Sequence, residues 1–96
     1  MIWEFQVKSG CEAQFIEAYG AEGAWAQLFG QAPGFVGVEL TRSVSHPSRF
    51  FTFDTWESSA AYQSFCEKNS AAYGALDLKL AGLTDWERKV GAFPPE

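Results

Sequence analysis

The sequence predicts an α+β domain in the order β-α-β-β-α-β, and three observations predict it. Strand-period alternation opens and closes the chain. Two β-branched and aromatic runs flank a turn in its middle. Steps of three and four mark the stretches between. This is the ferredoxin-like order, in which a four-stranded antiparallel sheet carries both helices on one face. Ninety-six residues read as one domain spanning positions 1–96.

The first strand is Ile2 to Lys8, where Trp3, Phe5 and Val7 alternate with Glu4, Gln6 and Lys8 before Ser9-Gly10. The first helix is split. Glu12 to Tyr19 carries Phe15, Ile16 and Tyr19 at helical spacing, and Gly20 and Gly23 interrupt it. A short second piece, Ala24 to Gly30, presents Trp25, Leu28 and Phe29 on one side. After Pro33-Gly34, Phe35 to Val44 is a β-branched-rich strand, Ser45-His46-Pro47-Ser48 a turn, and Arg49 to Trp56 its hairpin partner. Ser58 reads as a helix N-cap. From there Tyr62, Phe65, Cys66, Asn69, Tyr73, Leu76, Leu80 and Leu83 predict one long helix, broken near Gly74 or Gly82. Trp86 to Phe93 is the last strand, ended by Pro94-Pro95.

Composition narrows the function. The chain is 47% apolar and 17% aromatic, too apolar for disorder and heavy in aromatics for so small a core. That excess points to a ligand pocket or a subunit interface. A net charge of −5 disfavours nucleic acid and anionic membranes. Cys11 and Cys66 make neither a disulfide scaffold nor metal spacing, and His46 has no His partner. The glycines form no phosphate loop or dinucleotide fingerprint, so no cofactor is expected. With no apolar run of spanning length and no signal-like start, a reduced cytoplasmic protein is expected.

Alternation also predicts a partner. Phe51 and Phe53 fall on one face of their strand and Phe50 and Trp56 on the other. In the preceding strand Val36, Val38 and Leu40 share a face opposite Phe35. With helices covering one face only, the second apolar face is expected to pack on another copy as a homodimer.

Few polar residues have positions that suggest chemistry. Asn69 falls on the Tyr62–Phe65–Tyr73 stripe, either orienting a bound oxygen or bonding to backbone. Arg42 and Asp54 share parity on adjacent strands, as an ion pair of the sheet or the charge of a pocket. Cys66 reads as a small core residue. Cys11 lies near a helix start, and nothing else there supports catalysis. His46 reads as a solvated turn residue.

The stretch Thr52-Phe53-Asp54-Thr55-Trp56-Glu57-Ser58-Ser59-Ala60-Ala61-Tyr62-Gln63-Ser64-Phe65 resembles the strand-to-helix signature of the antibiotic biosynthesis monooxygenase family. The pattern is an acidic residue, Trp, a Ser-rich cap, then an aromatic and Phe. The opening strand, Pro33-Gly34-Phe35 and the element order fit as well, so the resemblance covers nearly the whole chain. It implies a dimeric α/β barrel with a pocket between each sheet and its helices. It further implies a cofactor-independent monooxygenase that oxidises a small aromatic, anthrone- or hydroquinone-like substrate with O2. The alternative is a non-catalytic dimeric module that binds an apolar small molecule.

By the same resemblance Trp56 and Tyr62 stand where the quinone-forming branch lines its pocket. An indole N–H and a phenol there hold a substrate oxygen. The other reading has Trp56 packing the strand–helix corner and Tyr62 in the core. Where that branch has Asn on the strand this chain has Thr52, and the helix from Ser58 to Leu83 contains no Arg. The haem-degrading branch uses a His on the second helix, and none is present. The candidate catalytic residues are therefore Trp56, Tyr62 and Asn69. The candidate substrate-binding residues are Trp25, Phe29, Thr52, Phe65 and Tyr73.

Overall fold

The computed structural model describes residues 1–94. Its elements are β1 (Ile2–Val7), α1 (Glu12–Tyr19), α2 (Ala24–Phe29), β2 (Phe35–Arg42), β3 (Arg49–Trp56), α3 (Ser59–Lys68), α4 (Ser70–Leu80), a 3-10 turn (Ala81–Leu83) and β4 (Thr84–Gly91). The four strands form one antiparallel sheet in the order β2-β3-β1-β4. This is the ferredoxin-like α+β arrangement read from the sequence.

The helices pack on one face of the sheet. There Phe5, Val7 and Phe50 meet Phe15, Tyr19, Trp25, Phe29 and Phe65 to make the buried core. Phe15 stacks on Tyr19 with ring centroids 4.2 Å apart and leans on both Phe5 and Phe50. Ile16, expected on the same stripe, lies 40% exposed. The opposite sheet face sets Glu4 between Phe51 and Arg88, Ile2 beside Phe53, and Gln6 between Arg49 and Trp86. Glu4 is paired with Arg49 at 3.1 Å and Arg88 at 2.7 Å, and Arg88 foremost holds its carboxyl below the usual range.

Three local expectations change. First, Phe35 pairs with Trp56 and Gly37 with Thr55, so Val36 is an extra residue in a β-bulge. The bulge returns Phe35 to the helix side, 5.2 Å from the Trp56 ring, together with Val38 and Leu40. Val36 is left 62% exposed instead of sharing their face.

Second, the long helix breaks at Asn69, not at Gly74 or Gly82. Asn69 leaves helical geometry (φ −125°, ψ 25°) while its Nδ2 donates to the Phe65 carbonyl at 3.0 Å. Its side chain competes with the helix's own ladder, the usual way Asn ends a helix. Gly74 runs through α4, and Gly82 lies in the 3-10 turn that follows.

Third, Arg42 and Asp54 do not pair. Arg42 stands opposite Phe50, with its guanidinium 5.0 Å from that ring and its Nε donating to the Pro47 carbonyl. Asp54 stands four positions along the ladder, opposite Val38.

Strand ends move by one or two residues. β1 stops at Val7, β2 stops at Arg42 where the turn bond from Ser43 N to the Arg49 carbonyl begins, and β4 runs Thr84–Gly91. Gly91 has φ +155°, and Phe93 folds its ring back over it. Pro95, read as part of the strand's stop, lies outside the described residues. Ser58 caps α3 as expected, accepting from Ala61 N at 3.1 Å. Gly34 has φ +90°, and a Cβ there would meet the Ala61 Cβ at 2.7 Å, so only glycine fits the approach to β2.

Candidate functional site

A cleft opens between the helix-side face of the sheet and the helices. β1 contributes Trp3 and Phe5, β2 Val38, β3 Thr52 and Asp54, and β4 Glu87. Across from them stand Tyr19 of α1, Trp25 and Phe29 of α2, and Tyr73 and Asp77 of α4. It is partly open to solvent, with a cavity volume of about 40 Å³.

The walls are aromatic because these positions lie one helical turn or one strand pleat apart. Trp25 and Phe29 are four apart on α2 and present both rings to the cleft, 5.5 Å between centroids. Tyr73 closes the wall edge-on against Trp25 at 5.0 Å. Tyr19 reaches Trp25 from α1 at 6.1 Å. On the sheet side Thr52 sits between Trp3 and Leu40 in the ladder. Trp25 Nε1 is buried with no hydrogen-bond partner among the described residues.

The polar groups are mostly carboxylates. Asp54 is 8% exposed, and its side chain has no hydrogen-bond or ion-pair partner among the described residues. Burial pushes its carboxyl up to about 6, and the Met1 amino group, which donates to the Asp54 backbone carbonyl at 2.7 Å, opposes the shift. Glu87 and Asp77 stand exposed at the mouth. Partial burial, with Asp77 nearby, raises the Glu87 carboxyl as well. Among the described residues no Lys, Arg or His lines the cleft. Burial holds the phenols of Tyr19 and Tyr73 above their usual range, so both remain protonated hydrogen-bond donors. Among the described residues no three His, Cys, Asp or Glu side chains converge as metal ligands.

Of the residues read from sequence, Trp25, Phe29, Thr52 and Tyr73 line the cleft together. Phe65 lies behind its wall, edge-on to Phe29 at 5.2 Å. Trp56 and Tyr62 meet edge to face at 5.4 Å but stand outside the lining. Trp56 backs Phe29 at 5.5 Å, and Tyr62 stands behind Trp56. Asn69 is spent on the Phe65 carbonyl. Sequence reasoning missed Trp3, Phe5, Tyr19, Val38, Asp77 and Glu87 as lining, and considered Asp54 for a pocket only as half of an ion pair. The signal for Asp54 was available: two residues after Thr52 on a strand, it must share Thr52's face.

Residues 1–74 match the protein-family model described as antibiotic biosynthesis monooxygenase. Among solved structures the fold is similar to two proteins whose descriptions carry that family name. For the one from Bordetella bronchiseptica the TM-score is 0.67 at 23% identity, over 95% of this chain and 94% of that one. For the one from Nitrosomonas europaea it is 0.69 at 20% identity, over 99% and 90%. The fold is also similar to SnoaB, a cofactor-independent oxygenase from Streptomyces nogalater, with a TM-score of 0.63 at 18% identity over 99% and 94%. No curated protein sequence matches the chain.

Proposed function

The chain belongs to the antibiotic biosynthesis monooxygenase family, and we propose that it is a cofactor-independent monooxygenase. Its substrate is a small, flat aromatic of hydroquinone or anthrone type, oxidised with O2. The observation that carries this reading is the cleft, where aromatic walls on both sides enclose one buried, unpartnered carboxylate. Such substrates give up electrons to oxygen once they have lost a proton. For an anthrone, one oxygen atom becomes the new carbonyl at the methylene carbon and the other leaves as water with the two methylene hydrogens. The protein then has to hold the ring, keep water away and place polar groups at the reacting edge.

The cleft is small, about 40 Å³, and partly open, so the reacting edge of a ring would lie between its aromatic walls and the remainder toward solvent. Thr52 and the phenols of Tyr19 and Tyr73 are the lining hydroxyls available to a substrate oxygen. Trp56, with Tyr62 against it, acts through Phe29 as a positioning residue. The uncovered sheet face, with Phe51, Phe53, Trp86 and Val90, supports assembly as a homodimer.

The test is oxygen consumption by metal-stripped protein over a panel of anthrones and hydroquinones. Uptake above the uncatalysed rate is expected. A flat result over the panel, with the same compounds binding saturably, would favour the second reading, a dimeric module that holds an aromatic ligand without turnover. That reading draws on the same cleft and on Thr52 standing where the quinone-forming branch has Asn.

A further inference from the structure

We propose that Asp54 is the proton acceptor of this cleft, taking a proton from an aromatic substrate that arrives neutral. The inference rests on the cleft being the substrate site. It begins with an anomaly of burial. A charged carboxylate shielded from water is ordinarily paired or hydrogen-bonded. Asp54 is 92% buried, faces the cleft and has neither kind of partner among the described residues. A carboxylate in that condition is completed by a donor group on what enters the cleft.

The surrounding charge says in which form the substrate comes. Asp54, Asp77 and Glu87 line the cleft and, among the described residues, no Lys, Arg or His side chain does; the Met1 ammonium beside Asp54 offsets one of the three carboxylates, so an anionic phenolate, carboxylate or phosphate is still disfavoured there. A neutral aromatic carrying an acidic O–H or C–H is not. Oxygen, however, reacts with the anion. The proton must therefore be removed inside, and among the described residues Asp54 is the one buried carboxylate in the lining.

The step balances simply. The substrate's C–H or O–H bond breaks, its electron pair stays on the substrate as an enolate or phenolate, and the proton forms an O–H bond on Asp54. No oxidant is needed for it. After oxygen adds, the proton returns to the peroxide and leaves in the water lost, restoring the carboxylate. The raised carboxyl, at about 6, remains ionised at neutral pH and is a stronger base than an exposed Asp. The titratable groups that face it are Tyr19 of α1, Tyr73 and Asp77 of α4, and Glu87 of β4, with the Met1 amino group on its own side.

The experiment separates proton removal from oxygenation. Anthrone is incubated with the protein in D2O under argon, and loss of its methylene proton signal is followed by NMR for wild type, Asp54→Asn and Asp54→Glu. Retained folding of each variant is checked by circular dichroism. The expected result is exchange accelerated by the wild type, reduced by about 100-fold or more in Asp54→Asn and partly restored in Asp54→Glu. In the wild type the rate should fall on acidification through about pH 6, and that limb should be missing from Asp54→Asn. Equal exchange in wild type and Asp54→Asn overturns the proposal, as does a wild type that accelerates none. Exchange without oxygen uptake in air would retain Asp54 as the base and defeat the monooxygenase reading alone.

Discussion

Thr52 and Asp54 stand two residues apart on β3 and enter the aromatic cleft from the same face, Thr52 between Trp3 and Leu40, Asp54 opposite Val38. One brings a hydroxyl and the other an ionisable group without a partner among the described residues, and both are buried. The pleat of a strand is enough to place them together, and the helices above supply the facing aromatic wall.

Asp54 should lower stability at neutral pH. Its folded carboxyl titrates at about 6 against an ordinary 3.8, so between these values the folded chain holds the proton that the unfolded chain has released. Stability from this group therefore falls as pH rises through that window and is lowest above it. The difference corresponds to about 3 kcal/mol. Asp54→Asn should be more stable than wild type above pH 6, by up to about 3 kcal/mol, with the gap closing below pH 4. Urea unfolding of both proteins across pH 3.5–8 measures it. A constant difference would mean that Asp54 is not desolvated.

The cleft wall and the pair behind it should separate kinetically. Trp25→Leu removes a stacking face from the lining and should raise KM about tenfold, the equivalent of ~1.4 kcal/mol. Tyr62→Phe removes a hydroxyl outside the lining and should change KM less than about twofold. Equal effects in steady-state oxygen uptake would place the substrate at Tyr62 instead.

Phe53→Glu should break the proposed dimer. The Phe51 and Phe53 rings lie 6.5 Å apart on the open sheet face, and a charge there cannot be buried against a second copy. Sedimentation velocity should show the wild type as a dimer and the variant as a folded monomer. A variant that sediments like a dimeric wild type would move the interface elsewhere.

Gly34→Ala should destabilise the chain by about 2–4 kcal/mol, since it combines a disfavoured backbone conformation with a clash. The new Cβ would press on Ala61 of α3 and strain the 2.7 Å bond from Glu57 N to the Gly34 carbonyl. Thermal unfolding is the measure, and an unchanged midpoint would show that the start of α3 yields freely.

Much of the fold was legible because it depends on local periods. Alternation marks β1, a β-branched run and an aromatic run mark β2 and β3, Ser58 marks the start of α3, and the turn around His46 sets the hairpin. The misplacements are also local and have physical causes. A single extra residue at Val36 reverses which face Phe35 occupies, and Asn69 breaks the helix by bonding its own backbone at a position that spacing alone had assigned to the stripe.

The site was legible only in part. Trp25, Phe29, Thr52 and Tyr73 stand out as aromatics or small polar groups on inward faces, and the structure joins them. Trp56 and Tyr62 stand out equally, yet they form the layer behind. Periodicity tells which way a side chain points and cannot tell how far the opposing helix stands off, so it cannot separate a wall from its backing. Asp54 and Arg42 show the same limit. Their parity matches, but the register sets them four positions apart and leaves the carboxylate alone. The sequence by itself determined the family, the order of the elements and the faces of their side chains, because those follow from spacing along one chain. Only the tertiary structure decided which residues line the cleft and which charge is unpaired, because those depend on the distance between elements brought together from opposite ends of the chain.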